Sequence, residues 1–351
     1  MLIYFAAAGG LSAVLTCLVM MFAKRRGILD RPDQARKKHT HPVPLLGGAA
    51  LFIGFWAIVG YLVYHPIFGI ELLRTKLFAA FLGSSILFIV GIFDDVYTLS
   101  TRLRFLVIAF AALVTVLGGL GLEKITNPLG GVISLEQGKI VTVFGSFFIL
   151  ADGLVFLWLL SMMFTTKLLD GLDGLATWVV FIGSLIVFFM TTMTKFYQPN
   201  VALVSLIFAG TCLGFLFFNF SPAKIFLGES GSLFIGFMLG VLAVIAGSKV
   251  ATAFLVLAIP ILDVARVVYL RLKQGQSIFR GDRNHLHFTL VDGGLSERKV
   301  VLLFYVCALV FGLAALFLQS MGKVIALAVI FVGLLFVALH FRTRSASYER
   351  I

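Results

Sequence analysis

Charged residues and cysteines are both scarce in this sequence, and each shortage narrows the class of protein. Only 13% of the 351 residues are charged, whereas a soluble globular protein has about a quarter. The three cysteines lie in apolar runs without the spacing of zinc ligands, so we interpret them as small buried residues. No polar stretch is long enough to form a soluble domain, which argues against a nucleic-acid partner.

Long apolar runs are abundant instead. Hydrophobic residues make up 60% of the chain and the mean hydropathy is +1.08, as expected for an integral membrane protein. A membrane-spanning helix needs about 20 apolar residues, and about eleven runs approach that length. They cover residues 2–23, 45–64, 77–93, 105–121, 149–166, 175–194, 201–218, 231–247, 251–270, 300–318 and 323–340. Strand-like alternation is absent from them, so the predicted fold is an all-α polytopic membrane protein with a single domain over 1–351.

The basic residues predict the orientation in the membrane. Lys24, Arg25 and Arg26 follow the first run and none precedes it, which is the reverse of a cleavable signal peptide. With the N-terminus outside, twenty of the 28 Lys and Arg residues fall on one side of the membrane and seven on the other. The richer side is cytoplasmic. We therefore expect a multi-pass protein of the plasma (inner) membrane with a cytoplasmic C-terminus.

The largest predicted outside segment covers about 122–148. Two β-prone runs, 132–135 and 140–143, flank a short polar stretch that contains Gly138. This pattern predicts a small extracytoplasmic β-hairpin near 130–145.

Short polar segments at the ends of the apolar runs hold most of the acids and histidines that could perform chemistry. Carboxylates are costly near lipid, so their repeated placement on the predicted cytoplasmic side indicates one assembled site. The segments are Arg36-Lys37-Lys38-His39, Asp94-Asp95, Asp170-Gly171-Leu172-Asp173-Gly174, Gly228-Glu229-Ser230-Gly231-Ser232 and Asp282-Arg283-Asn284-His285-Leu286-His287. They favour a membrane-embedded enzyme that handles phosphates with a metal ion.

Asp94 and Asp95 close the third run, where the helix macrodipole disfavours negative charge. Because two adjacent acids also repel each other, a bound divalent cation would relieve the conflict. A general base is the other functional interpretation, and a solvated helix end is the non-functional one.

The two glycine-containing segments suit phosphate and metal binding. Asp170 and Asp173 share a face if their segment is helical, and the neighbouring Lys167 could pair with either acid. An ordinary acidic turn is the alternative. The segment 228–232 opens a helix, so its free N–H groups could bind phosphate while Glu229 holds a metal. A simple capping turn would have the same sequence.

The remaining polar residues allow more than one interpretation. Arg283, His285 and His287 suit a phosphate better than zinc, although loop histidines often only face solvent. Asp263 and Arg266, three residues apart after Pro260, are expected to neutralise each other within a span that the proline interrupts, and contact with substrate is the alternative.

Together these segments resemble the polyprenyl-phosphate N-acetylhexosamine-1-phosphate transferases over about residues 1–320. The resemblance rests on Phe93-Asp94-Asp95, Asp170 to Leu175, Phe218-Asn219, Pro222 to Gly228, Gly231-Ser232-Leu233 and Asp282 to His287. It implies transfer of a sugar-1-phosphate from a UDP-N-acetylhexosamine to polyprenyl (undecaprenyl) phosphate, with release of UMP. It also implies Mg²⁺ as cofactor, with Mn²⁺ as a substitute.

Residue roles follow from the same resemblance. Asp94 and Asp95 are expected to be catalytic, and Glu229 is expected to bind the metal with one of them. The expected substrate contacts are Lys38, His39, Arg102, Arg104, Lys167, Asp170, Gly171, Leu172, Asp173, Asn219, Phe226, Arg283, His285 and His287. The chain departs from the family pattern at Lys167, where asparagine is usual, and at Glu229, where aspartate is usual.

The sequence leaves several alternatives. His285-Leu286-His287 resembles the UDP-GlcNAc branch, whereas the branch that uses UDP-MurNAc-pentapeptide has three consecutive histidines. An ion-coupled secondary transporter would also carry intramembrane acids, but such acids usually lie near mid-membrane and no inverted repeat is visible. A purely structural membrane scaffold is disfavoured by the cost of the charges. A homodimer is compatible with the layout, and contact with membrane lipid is expected.

Overall fold

A computed structural model describes residues 1–30, 41–122, 124–126, 132–134, 139–142, 145–193, 197–247, 250–276, 285–318 and 320–348. Three of the predicted substrate contacts, Lys38, His39 and Arg283, lie outside these ranges.

The described part of the chain is mainly helical. Its α-helices are α1 (Leu2–Arg26), α2 (Gly47–Tyr64), α3 (Arg74–Tyr97), α4 (Thr101–Leu117), α5 (Ile149–Leu169), α6 (Leu175–Met193), α7 (Pro199–Asn219), α8 (Gly228–Ile245), α9 (Val250–Val256), α10 (Ala258–Lys273), α11 (Leu286–Asp292), α12 (Glu297–Phe317) and α13 (Ser320–Tyr348). A 3₁₀ helix, Ile70–Leu73, leads directly into α3.

Each predicted apolar run falls on one helix or on a pair of helices, which confirms the all-α membrane character. Within the described residues, eight helices are long and apolar enough to cross a membrane: α1, α2, α3 with its 3₁₀ extension, α5, α6, α7, α8 and α12. The run 105–121 becomes the shorter α4, and α13 contributes a shorter apolar stretch, Met321–Phe336. The run 251–270 is divided between α9 and α10 at Leu257. Pro260 explains this division, because a proline ring clashes with the carbonyl four residues earlier, here that of Val256.

The strands are short and pair locally. β1 (Leu29–Asp30) pairs antiparallel with β2 (Val43–Pro44) beside the start of α2. In the segment between α4 and α5, β3 (Lys124–Thr126) pairs with β4 (Val132–Ser134), and β5 (Lys139–Thr142) pairs with β6 (Gly145–Phe148).

A hairpin was therefore correctly predicted near 130–145, but its partners were wrong. The two β-prone runs were expected to pair with each other, and instead β4 and β5 belong to different hairpins. β5 and β6 are joined by two residues, with Thr142 opposite Gly145. Two-residue connections are the commonest in hairpins, so this local pairing is favoured over one across a longer linker.

α7 and α8 form the buried centre of the described helices. α8 packs against α2, α3 and α5, and α7 packs against α1 and α6. The fully buried rings of Phe55, Phe208 and Phe234 meet at the centre with centroids 5.3–6.2 Å apart. Gly91 permits the closest approach of α3 to α8, because a Cβ there would lie 2.4 Å from Ser230 Cα. The first turn of α8 is thereby held against the C-terminal end of α3.

Candidate active site

A cavity of about 790 Å³ opens at one end of the helices. Its lining comes from the C-terminal ends of α3, α5 and α7, the N-terminal ends of α4, α8 and α12, and the loops beside them. It brings together eleven of the predicted site residues: Asp94, Asp95, Arg104, Lys167, Asp170, Gly171, Leu172, Asp173, Asn219, Phe226 and Glu229. Segments far apart in the sequence therefore converge, as predicted.

Other predicted residues lie elsewhere. Arg102 is exposed on α4 and is not among the lining residues. His285 and His287 are each 3% exposed and are not among the lining residues. The interpretation of these two histidines as solvent-facing loop residues is therefore wrong.

The Asp95 carboxylate caps the first turn of α8. Its Oδ1 accepts a hydrogen bond from Glu229 N at 2.6 Å, and its Oδ2 accepts one from Ser230 Oγ at 2.9 Å and a longer one from Ser230 N at 3.4 Å. A negative charge is favourable at this end of a helix. Gly228 makes the contact possible, because its φ is +71° and a Cβ would lie 2.5 Å from Asp95 Oδ2.

An alternating chain of acids and bases runs along the cavity wall. Asp94 Oδ1 accepts from Leu99 N at 2.6 Å, and its Oδ2 lies 2.7 Å from Arg104 Nε. Arg104 Nη1 is 3.4 Å from Glu229 Oε1, and Lys167 Nζ is 2.7 Å from Glu229 Oε2. The two departures from the family pattern, Lys167 and Glu229, thus form an ion pair. The sequence had suggested Asp170 or Asp173 as the partner of Lys167, and this was wrong.

Asp170 differs from the other carboxylates of the cavity. Asp94, Asp95 and Glu229 are engaged as above, and Asp173 Oδ2 accepts from Ala223 N at 2.9 Å. Asp170 N donates to Thr166 O at 3.0 Å, but the Asp170 carboxylate has no hydrogen bond or ion pair within the described part of the chain. Burial raises the pKa of the Asp170 carboxyl well above its usual range, and the neighbouring charges of Glu229, Asp95 and Asp173 raise it further.

The loop between α7 and α8 is held in place by hydrogen bonds to its neighbours. The Asn219 amide is buried, donates to Ile225 O at 3.0 Å and accepts from Thr177 Oγ1 at 2.9 Å. Phe226 N donates to Pro44 O at 2.9 Å, and Gly47 N donates to Phe226 O at 3.0 Å. These contacts fix the loop that delivers Glu229.

The histidines are anchored from inside the bundle. Asp263 Oδ1 is 2.7 Å from Arg266 Nη2, which confirms the predicted pair. Asp263 Oδ2 also accepts from Leu286 N at 2.9 Å and lies 3.0 Å from His285 Nδ1, neither of which the sequence indicated. The His285 and His287 rings stack with centroids 6.1 Å apart. His287 in turn borders the acidic turn, since a Cβ on Gly171 would lie 2.8 Å from its Nε2.

Sequence reasoning missed several lining residues. Asp30, Thr98 and Glu297 face the cavity although nothing in their local sequence marks them. His41 also lines it, and its position beside the basic stretch before Pro42 was the available signal.

The cavity suits a hard divalent cation that arrives with a ligand. No three His, Cys, Asp or Glu side chains among the described residues are placed to hold a metal by themselves. Mg²⁺, however, is commonly bound by one or two carboxylates together with water and substrate phosphates. The unpartnered Asp170 and the neighbouring Glu229 supply carboxylates of this kind, so the donor set fits.

Comparison with known proteins gives a consistent family. A profile described as glycosyl transferase family 4 matches residues 77–247. A Bacillus subtilis (strain 168) protein named probable undecaprenyl-phosphate N-acetylglucosaminyl 1-phosphate transferase is 31% identical over 329 residues, covering 92% of this chain and 86% of the relative. The decaprenyl-phosphate N-acetylglucosaminephosphotransferase of Mycobacterium tuberculosis (strain H37Rv) is 32% identical, covering 82% and 74%.

A third relative extends the match to another group of bacteria. The undecaprenyl-phosphate alpha-N-acetylglucosaminyl 1-phosphate transferase of Escherichia coli (strain K12) is 28% identical, covering 88% of this chain and 80% of the relative. The matches extend over most of each protein, and the family profile includes the cavity residues from Asp94 to Ser232. The chain therefore belongs to glycosyl transferase family 4, on the branch of polyprenyl-phosphate N-acetylglucosamine-1-phosphate transferases.

Proposed function

We propose that this protein transfers N-acetylglucosamine-1-phosphate from UDP-N-acetylglucosamine to a polyprenyl phosphate and releases UMP. The observation that carries the proposal is the cavity itself, where seven acidic side chains, Arg104 and Lys167 line the space beside the first turn of α8 in a chain of this family. Such a reaction begins cell-envelope glycan synthesis on a lipid carrier.

Phosphoryl transfer depends mainly on positioning and on neutralising charge. The first turn of α8 brings the positive end of a helix to the cavity, where phosphates bind well, although Asp95 already accepts from two of its N–H groups. Asp95 orders this turn, and Asp94 holds Arg104 in the cavity. Both acids are therefore required for the geometry of the phosphate site.

Mg²⁺ is the proposed cofactor, with Mn²⁺ as a substitute. Glu229 and Asp170 would hold it, with Asp94 and Asp95 close by, and it would supply charge neutralisation for the diphosphate of the donor. A phosphate monoester is mostly ionised near neutral pH, because the second pKa of phosphorylated side chains is about 6. The acceptor therefore needs little help from a general base.

The acceptor would reach the cavity from the lipid. Phe93 and Tyr97, beside the two acids on α3, are 52% and 70% exposed. Apolar rings exposed on a membrane helix suit contact with lipid chains, so the polyprenyl tail would stay in the bilayer while its phosphate enters the cavity. The excess of basic residues in loops on this side favours a cytoplasmic active site.

The test is a reconstituted reaction. Purified protein is incubated with UDP-GlcNAc, undecaprenyl phosphate and Mg²⁺, and both UMP and lipid-linked product are measured. Each reaction contains a single donor, with UDP-MurNAc-pentapeptide in place of UDP-GlcNAc in a parallel reaction. Equal release of UMP and lipid product with UDP-GlcNAc supports the proposal. Product only with UDP-MurNAc-pentapeptide would move the protein to the peptidoglycan branch, and no UMP with either donor would refute the assigned reaction.

A further inference from the structure

The two oxygens of Glu229 are held by two different cations. Oε1 lies 3.4 Å from Arg104 Nη1 and Oε2 lies 2.7 Å from Lys167 Nζ. The Arg104 side chain has a second and closer partner, since its Nε is 2.7 Å from Asp94 Oδ2. Within the described residues, Glu229 is the one ion-pair partner of Lys167.

The two cations also differ in mobility. Arg104 presents a planar guanidinium between two acids, so several contacts fix its position. Lys167 carries a compact ammonium group on a flexible four-carbon stem, which can turn to another acceptor without loss of geometry. Its side chain is 22% exposed and lines the cavity. Lys167 is therefore the cation that can leave Glu229.

The charges of the cavity explain why the Lys167 ammonium would leave Glu229 when a metal binds. Seven acids line the cavity, and Arg104 and Lys167 are the Arg and Lys residues of the described chain that line it with them. The acids are Asp30, Asp94, Asp95, Asp170, Asp173, Glu229 and Glu297. With no ligand bound, the ammonium compensates Glu229, a partly buried charge that would otherwise keep only its longer contact with Arg104. A metal ion bound to Glu229 would take over this role and would repel the ammonium.

We propose that Lys167 is an exchangeable counter-ion that links metal binding to binding of the donor. Without ligand it occupies Glu229 Oε2. When a divalent cation and a nucleoside diphosphate sugar enter together, the metal binds Glu229 and the Lys167 ammonium moves to a phosphate oxygen of the donor. Metal alone must displace the ammonium, whereas metal with a diphosphate gives it a new partner. Each ligand therefore strengthens binding of the other. This inference rests on the proposed donor and metal, but the exchange can be measured without turnover.

The test is direct binding of Mn²⁺ to the purified full-length protein, measured from the electron paramagnetic resonance signal of the free ion. In the absence of donor, Lys167→Met is expected to bind Mn²⁺ about 10-fold more tightly than wild type, equivalent to about 1.4 kcal/mol. With Mn²⁺ saturating, the same variant is expected to bind UDP-GlcNAc about 10-fold more weakly. Lys299→Met is the matched control, because it removes an exposed cation of α12 outside the cavity and should change neither constant.

A second comparison shows whether Lys167 acts through Glu229. In a Glu229→Gln background, Lys167→Met should no longer tighten Mn²⁺ binding, since the competition has been removed. Unchanged or weaker Mn²⁺ binding in Lys167→Met would overturn the proposal and assign the lysine a purely orienting role. Lys167→Gln serves in its place if the methionine variant does not elute as folded protein in gel filtration. Absence of UMP release by wild type, together with tighter Mn²⁺ binding in the variant, would refute the reaction but retain the counter-ion.

Discussion

Replacing Asp95 by asparagine tests how the cavity is built. The substitution keeps the size of the side chain, but it removes the negative charge at the N-terminus of α8 and puts an NH₂ group where an oxygen was. The amide oxygen of the asparagine can still accept from Glu229 N, which lies 2.6 Å from Asp95 Oδ1 in the wild-type protein. The NH₂ group then faces the second backbone donor, Ser230 N, 3.4 Å from Oδ2.

The expected magnitude follows from these contacts. A hydrogen bond to a charged acceptor contributes about 1.5–3 kcal/mol, against about 1 kcal/mol for a neutral one. A charge at a helix end adds roughly 0.3–2 kcal/mol. Losing the charge and one backbone contact should therefore cost about 3 kcal/mol. If this cost falls on the first turn of α8 where the phosphates bind, turnover should decrease by roughly 100-fold.

The assay measures UMP release per folded molecule together with the thermal unfolding temperature in detergent. Asp152→Asn is the control, because Asp152 Oδ2 accepts from Phe148 N at 2.7 Å in the first turn of α5. It makes the same kind of contact, but it is separated from Lys167 by about 22 Å of helix at 1.5 Å per residue. Both variants should unfold at lower temperature, and only Asp95→Asn should lose turnover. Wild-type turnover in Asp95→Asn, or an equal loss in both, would refute this role of the cap.

Three further outcomes are expected. EDTA should abolish transfer and Mg²⁺ or Mn²⁺ should restore it, because the cavity offers hard carboxylates; full activity in chelator would exclude the metal. His285→Ala and His287→Ala should each lower UMP release at least 10-fold, while fractionation should show that membrane insertion is retained. Wild-type kinetics in both variants would exclude a role for these histidines in the reaction. Glu229→Gln should raise the Mg²⁺ concentration needed for half-maximal activity, and Glu229→Asp should raise it less, because aspartate keeps the negative charge that a hard cation prefers. An unchanged Mg²⁺ requirement in Glu229→Gln would show that this residue is not a ligand.

The helical fold could be predicted because lipid imposes one strong constraint, that each span satisfies its own backbone hydrogen bonds. Apolar length then locates most of the helices: each of the eleven predicted runs contains helix, but eight of the described helices are long and apolar enough to span and α11 lies outside the runs. The break at Leu257 was also indicated by Pro260. The strand pairing was not, because β-propensity marks strands without identifying their partners; the two-residue connection favours the β5–β6 pair, and nothing in the sequence indicated that β4 pairs with β3.

The site was predictable as a set of segments but not as a set of contacts. Polar residues at the ends of successive spans must meet on one side of a membrane, so convergence of Asp95, Asp170 and Glu229 follows from topology alone. The pairing of Lys167 with Glu229 follows instead from the packing of α5 against α8, which no local pattern reports. The contact of Asp263 with His285 likewise joins a span to a loop that follows it.

Asp94 and Asp95 have other partners in the structure than the metal ion that the sequence suggested. Asp94 and Asp95 suggested a metal because two acids at the C-terminal end of a helix are unfavourable. The protein itself removes much of that conflict, since Arg104 pairs with Asp94 and the N-terminus of α8 receives Asp95. Asp170 is a carboxylate that the described residues leave uncompensated, and its pKa is raised by burial and by its acidic neighbours. The case for a divalent cation therefore rests less on the acid pair than on Asp170 and on a Glu229 whose counter-ion, Lys167, can move.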